Sequence, residues 1–112
     1  MAMFGGMDKL LGPMLEKFKR DMDKARQELS ETILEASAGG GMVTAQANGE
    51  GELLAVKISP EALEGADAEM LGDMVTAAVR EVMDKAKELK GQKLGGLLGG
   101  ANALGLDVGG LF

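Results

Sequence analysis

Apolar residues recur at Leu11, Leu15, Phe18, Met22, Ala25, Leu29 and Ala36, with Thr32 in the one missing place. The steps alternate four and three, the heptad spacing that lays one continuous seam along one side of a helix. On a chain of 112 residues a seam of this length demands a partner helix. The rest of the sequence has to bring that partner back.

Local signals trim the helix at both ends. Asp8 suits an N-cap or a first-turn acid. Pro13 must sit near the first helical position or kink the chain, so regular helix is expected from about Gly12. Glu16 with Arg20 and Lys24 with Glu28 are opposite charges four apart, the spacing of helix-surface ion pairs. At Thr32-Ile33 two β-branched residues disfavour helix, and alternation takes over. Ala36 then counts as strand rather than seam.

A first strand is expected from about Ile33, ended by Gly39-Gly40-Gly41. A second runs from Met42 to Asn48, with Val43, Ala45 and Ala47 on one face. Asn48-Gly49 is a strong hairpin signal, extended here by Glu50-Gly51. The third runs from Leu53 to Ile58, with Leu54, Val56 and Ile58 pointing one way. Ser59-Pro60 opens a short turn through Leu63, and Asp67 is placed to cap a second long helix reaching about Lys90. Its apolar set from Met70 to Leu89 is wide enough to cover both a sheet and a partner helix, and Gly91 is a plausible stop.

The expected fold class is therefore α+β, in the order α-β-β-β-α, with a three-stranded antiparallel meander and two long helices. Residues 1–7 read as a flexible N-terminus and 8–90 as a single domain. Residues 91–112, with eight glycines, read as a Gly-rich flexible tail. The Gly95/Gly99 and Gly105/Gly109 pairs match membrane-helix spacing, but the tail has too little apolar area to span a bilayer. No basic segment followed by an apolar run opens the chain, so no signal peptide is expected.

Composition narrows function by exclusion. There is no Cys and no His, which removes the commonest general base, thiolate chemistry and the usual zinc ligands. No glycine run has the form and setting of a phosphate-cradling loop. No catalytic residue, cofactor or metal site is expected, and acidic pairs such as Asp21/Asp23 read as solvated helix surface. Zero cysteine also excludes a disulfide framework and fits a reducing cytoplasm.

One signal remains, in the charges. The chain carries −6 overall, yet residues 17–26 hold five basic and two acidic side chains, and residues 85–93 hold four and one. Each segment is net +3 against a remainder of −12. If one helix enters the sheet and the other leaves it, both segments are expected at the same distal end of a helical arm. The candidate phosphate contacts are Lys17, Lys19, Arg20, Lys24 and Arg26, with Lys85, Lys87, Lys90 and Lys93. No aromatic side chain offers a stacking platform for single strands beside the second segment, and Phe18 belongs to the seam. Duplex DNA is thus the expected ligand. The competing reading is a structural or adaptor dimer that binds another protein through the tail or the arms.

Several stretches, in order, resemble the YbaB/EbfC family of bacterial nucleoid-associated proteins. They are Met3-Phe4-Gly5-Gly6-Met7, Gly41-Met42-Val43 through Ala47-Asn48-Gly49, Val56 through Leu63, and Glu69 through Ala78. The resemblance implies a homodimer joined through the small sheets, with paired helices projecting as two arms of a tweezer. It implies DNA binding by those arms with little sequence preference, a cytoplasmic, nucleoid-associated location, and no enzymatic activity. The DNA role carries over only onto the nine basic residues already named. This chain departs from the family in being acidic outside its basic segments.

Overall fold

The computed structural model describes residues 5–103. Helix α1 (Gly5–Glu31) leads into strands β1 (Ile33–Ala38), β2 (Val43–Asn48) and β3 (Leu53–Ile58). A short helix α2 (Pro60–Gly65) and the long helix α3 (Ala68–Ala103) complete the described residues. The strands form one antiparallel sheet in the order β1-β2-β3, as the alternation predicts.

α1 begins earlier than expected, with Pro13 inside it. The ring costs one backbone hydrogen bond there, and the helix runs through the loss. Its end is built by the residues that break the pattern. Thr32 Oγ1 donates to the Glu28 carbonyl (2.7 Å), and Gly49 N–H donates to the carbonyls of Leu29 (2.8 Å) and Thr32 (3.1 Å). Carbonyls that a helix end leaves without partners are thus satisfied by the β2–β3 hairpin.

The hairpin itself is organised by the buried Asn48. Its Oδ1 accepts from the backbone N–H groups of Glu50 (3.1 Å) and Glu52 (3.0 Å), and its Nδ2 donates to Glu52 Oε1 (2.9 Å). Neither Asn48 nor Gly49 has the positive φ of the two-residue turn that Asn-Gly suggests; Gly51 does, at 93°. Gly49 is needed for room instead. A Cβ there would stand 2.8 Å from the Leu29 carbonyl oxygen. In the β1–β2 turn the conformational argument does hold, with Gly39, Gly40 and Gly41 all at positive φ.

Ser59 caps α2, its Oγ accepting from Ala62 N–H (3.3 Å), with Pro60 in the first turn. Asp67 caps α3, its Oδ1 accepting from Met70 N–H (2.8 Å). The place of Pro60 and the Asp67 cap match the sequence expectation.

Packing divides into two clusters. Ala36, Val43, Ala45 and Ala47 of the sheet bury against Ala78 and Val82 of α3, with Leu71, Met74, Val75, Val79 and Met83 around them. Separately, Met22, Ala25 and Leu29 of α1 bury against Leu94, with Phe18, Leu89 and Leu97 at the edges. The stripe from Met70 therefore serves the sheet, and the seam of α1 finds its partner beyond Leu89. The tail boundary at Gly91 moves for the same reason. Leu94 and Leu97 face α1 while Gly91, Gly95, Gly96 and Gly99 meet nothing within 4 Å, so burial holds helix through a glycine-rich stretch. The rest of the expected tail, 104–112, and residues 1–4 lie outside the described residues.

α3 spans about 54 Å at 1.5 Å per residue, and the molecule measures 72 × 20 × 19 Å. The first half of α3 lies on the sheet and the second half runs out with α1 as an arm.

Candidate nucleic-acid interface

Lys17, Arg20 and Lys24 follow the spacing i, i+3, i+7, which places them within about 60° of one another around a helix. They fall on the side of α1 turned away from Met22, Ala25 and Leu29, and all three are exposed. Lys19 and Arg26, also exposed, lie on a flank beside the seam. Among the described residues none of these five has an ion-pair partner. The expected Glu16–Arg20 and Lys24–Glu28 pairs do not form. The outer face of α1 thus presents three cations over about 10 Å, none of them in an ion pair among the described residues, with Asp21 along one border.

The second basic segment is placed differently. Lys85 Nζ donates to the Glu35 carbonyl of β1 (2.9 Å). Lys90 Nζ stands 3.5 Å from Glu50 Oε2 in the β2–β3 turn, and Lys93 Nζ stands 2.6 Å from Glu28 Oε2 of α1. Lys87 is exposed and without an ion-pair partner among the described residues. These contacts fix the antiparallel register of the arm at Glu28 beside Lys93. Lys85 then lies about 12 Å back from Lys93, over the sheet, while Lys17 lies about 16 Å out from Glu28 along α1. The two basic segments are staggered along the arm and do not share its distal end. The reason is that α3 uses its first five turns to cover the sheet before it reaches α1.

Electrostatics support this division. The carboxyl of Glu28 is held below its ordinary range, first by the hydrogen bond from Lys93, then by that ammonium's charge, with Lys24 a smaller contributor. Glu28 therefore answers across the arm to Lys93 rather than along α1. Sequence reasoning missed this acid because the i+4 rule offered a nearer base.

It also missed an exposed apolar strip. α3 lies chiefly on β1 and β2, so of the apolar residues of β3 Val56 packs on the core while Leu53, Leu54 and Ile58 stay in the open. A bulge near Gln46/Ala47 breaks the β2–β3 register, and Leu53 and Leu54 are 47% and 48% exposed, Ile58 40%. A three-stranded sheet with one long helix across it offered the clue, since a single helix cannot cover three strands.

Comparison with known proteins agrees with this fold. A model of the YbaB/EbfC DNA-binding family matches residues 3–101. The chain belongs to that family. A nucleoid-associated protein of Pelotomaculum thermopropionicum is 40% identical over 104 residues, covering 93% of this chain and 98% of that one. Another, of Saccharopolyspora erythraea, is 44% identical over 93 residues, covering 80% of each. Among solved structures, an uncharacterized protein of Helicobacter pylori superposes with a TM-score of 0.72 at 27% identity, covering 79% of this chain and 92% of that one. YbaB/EbfC is a DNA-binding family and not an enzyme family. In this YbaB/EbfC chain no group of three or more metal-ligating side chains gathers among the described residues. No helix there is long and apolar enough to cross a membrane.

Proposed function

We propose that this chain works as a cytoplasmic, nucleoid-associated homodimer that holds duplex DNA through backbone phosphates, with little sequence preference. The observation that carries the reading is the outward stripe of Lys17, Arg20 and Lys24, exposed and unpaired among the described residues. Lys19, Arg26 and Lys87 extend the positive surface to either side. None of these side chains is held in a fork aimed at a base edge, so the contacts suit phosphate rather than sequence. The relatives named as nucleoid-associated support both the partner and the location.

Dimerisation rests on β3, an edge strand with exposed Leu53, Leu54 and Ile58. Open edges and apolar strips of this kind are what an interface covers. Two arms with three stripe cations each would neutralise about six phosphates, giving a slope of about −5 in log K against log[salt]. Between about 50 and 200 mM salt the affinity should fall on the order of a thousandfold. The test is duplex binding across that range, wild type against the charge-reversed Lys17→Glu/Arg20→Glu/Lys24→Glu variant. No affinity at low salt, or a variant that binds as wild type does, refutes the reading.

A protein-binding adaptor is the second reading. It is favoured by Leu63, 65% exposed, and the exposed Met70, which sit among Glu61, Glu64, Asp67, Glu69 and Asp73 with no cation between Lys57 and Arg80. Absence of DNA binding at low salt would turn attention there, and to a partner at the C-terminal tail.

A further inference from the structure

The nine basic residues are equivalent in sequence but not in the fold. Three of the four on α3 are already engaged, each with a different element. Lys85 satisfies a carbonyl of β1, which is an edge strand. Lys93 reaches across the arm to Glu28 on α1. Lys90 faces Glu50, whose second oxygen, Oε1, is buried and has no hydrogen-bond partner. Drawing Lys90 away onto a phosphate would leave that carboxylate without an ion-pair partner among the described residues, a costly state for a partly buried charge. The three contacts fall at successive points along α3, two on the sheet side and one on α1. Together they set the line along which the arm leaves the sheet.

We infer that Lys85, Lys90 and Lys93 are positioning residues, which hold the α1 stripe at a fixed angle to the sheet and do not contact DNA. The inference rests on the phosphate-binding reading above and divides its cations into two classes. Lys17, Arg20 and Lys24 release counterions when DNA binds. Lys90 and Lys93 stay with Glu50 and Glu28 in the free and bound states alike. Their loss loosens the arm, so that each binding event must first order it.

Salt dependence separates the classes, because each phosphate contact contributes about 0.9 to the slope of log K against log[salt]. Duplex binding by the full chain is measured from low to moderate salt for wild type, Lys17→Gln, Arg20→Gln, Lys24→Gln, Lys90→Gln, Lys93→Gln, Lys93→Arg and Glu28→Gln. Circular dichroism melts confirm that each variant is folded. Each stripe variant should lose about one unit of slope for every arm in contact. Lys90→Gln and Lys93→Gln should keep the wild-type slope and bind about two- to fivefold more weakly, the scale of one exposed ion pair. Lys93→Arg should restore the affinity. Glu28→Gln should weaken binding as Lys93→Gln does, although it removes a negative charge.

A slope reduced by Lys93→Gln or Lys90→Gln as much as by Lys24→Gln overturns the inference, and so does tighter binding by Glu28→Gln. Unchanged affinity and slope in both α3 variants overturns it as well. In all of these outcomes the stripe variants still report on phosphate binding, so the broader reading stands or falls by its own result.

Discussion

Gly49 and Asn48 show how one dipeptide does two jobs at the residue scale. Asn48 closes the hairpin with three side-chain hydrogen bonds, while Gly49 presses the hairpin against the end of α1. A Cβ at 49 would meet the Leu29 carbonyl oxygen at 2.8 Å and Leu29 Cδ2 at 2.9 Å. The side-chain carbon could move, but the carbonyl belongs to the helix and already accepts from Gly49. Gly49→Ala should therefore destabilise by about 1–3 kcal/mol, the usual cost of overpacking. Gly72 gives the control. It lies in α3 with nothing within 4 Å, so Gly72→Ala should stabilise by about 0.5–1 kcal/mol through helix propensity alone. Denaturant midpoints at one protein concentration should move in opposite directions.

At the scale of elements, α3 is one helix serving two cores. Up to Met83 it packs on the sheet, with Ala78 and Val82 fully buried there; from Leu89 it packs leucines against α1. Leu94 is fully buried between Met22, Ala25 and Leu29, whereas Leu89 and Leu97 of α3 are only partly buried at the edges of the arm core. Leu94→Ala should cost about 2–5 kcal/mol by cavity formation. Because the two clusters are separate, the loss should be local. Hydrogen exchange should speed up in α1 between Met14 and Arg26 and in α3 beyond Leu89, while Val43 to Ala47 keep their protection. Equal loss of protection in the sheet would show that arm and sheet open as one unit.

For the whole molecule, the dominant facts are a 72 Å length and an uncovered β3. A radius of gyration of 20.6 Å compares with about 13 Å for a compact chain of this size. Such a shape leaves much apolar surface per residue open, and pairing two copies along β3 would cover part of it. Leu54→Lys puts a charge into that joint without touching either core cluster. It should turn the proposed dimer into a folded monomer in sedimentation equilibrium. The DNA salt slope should then fall from about −5 to about −3, as one arm replaces two. A variant that sediments like wild type would place the joint elsewhere.

The sequence by itself determined the order of elements, since heptad spacing, strict alternation and the caps at Ser59 and Asp67 are all local signals. It also determined the stripe, because Lys17, Arg20 and Lys24 share a face of any helix that contains them. Which apolar run met which was a tertiary decision. The Met70 stripe and the Leu94–Leu97 pair both suit the seam of α1 in composition. Only the length of α3 spent on the sheet assigns the first to the strands and the second to the arm. The same stagger separated the two basic segments that element order alone had placed together, and it paired Glu28 with Lys93 instead of Lys24. Periodicity reports which face of an element is apolar. How far along a neighbour that face is met depends on lengths and turns summed over the whole chain, and that is settled only in three dimensions.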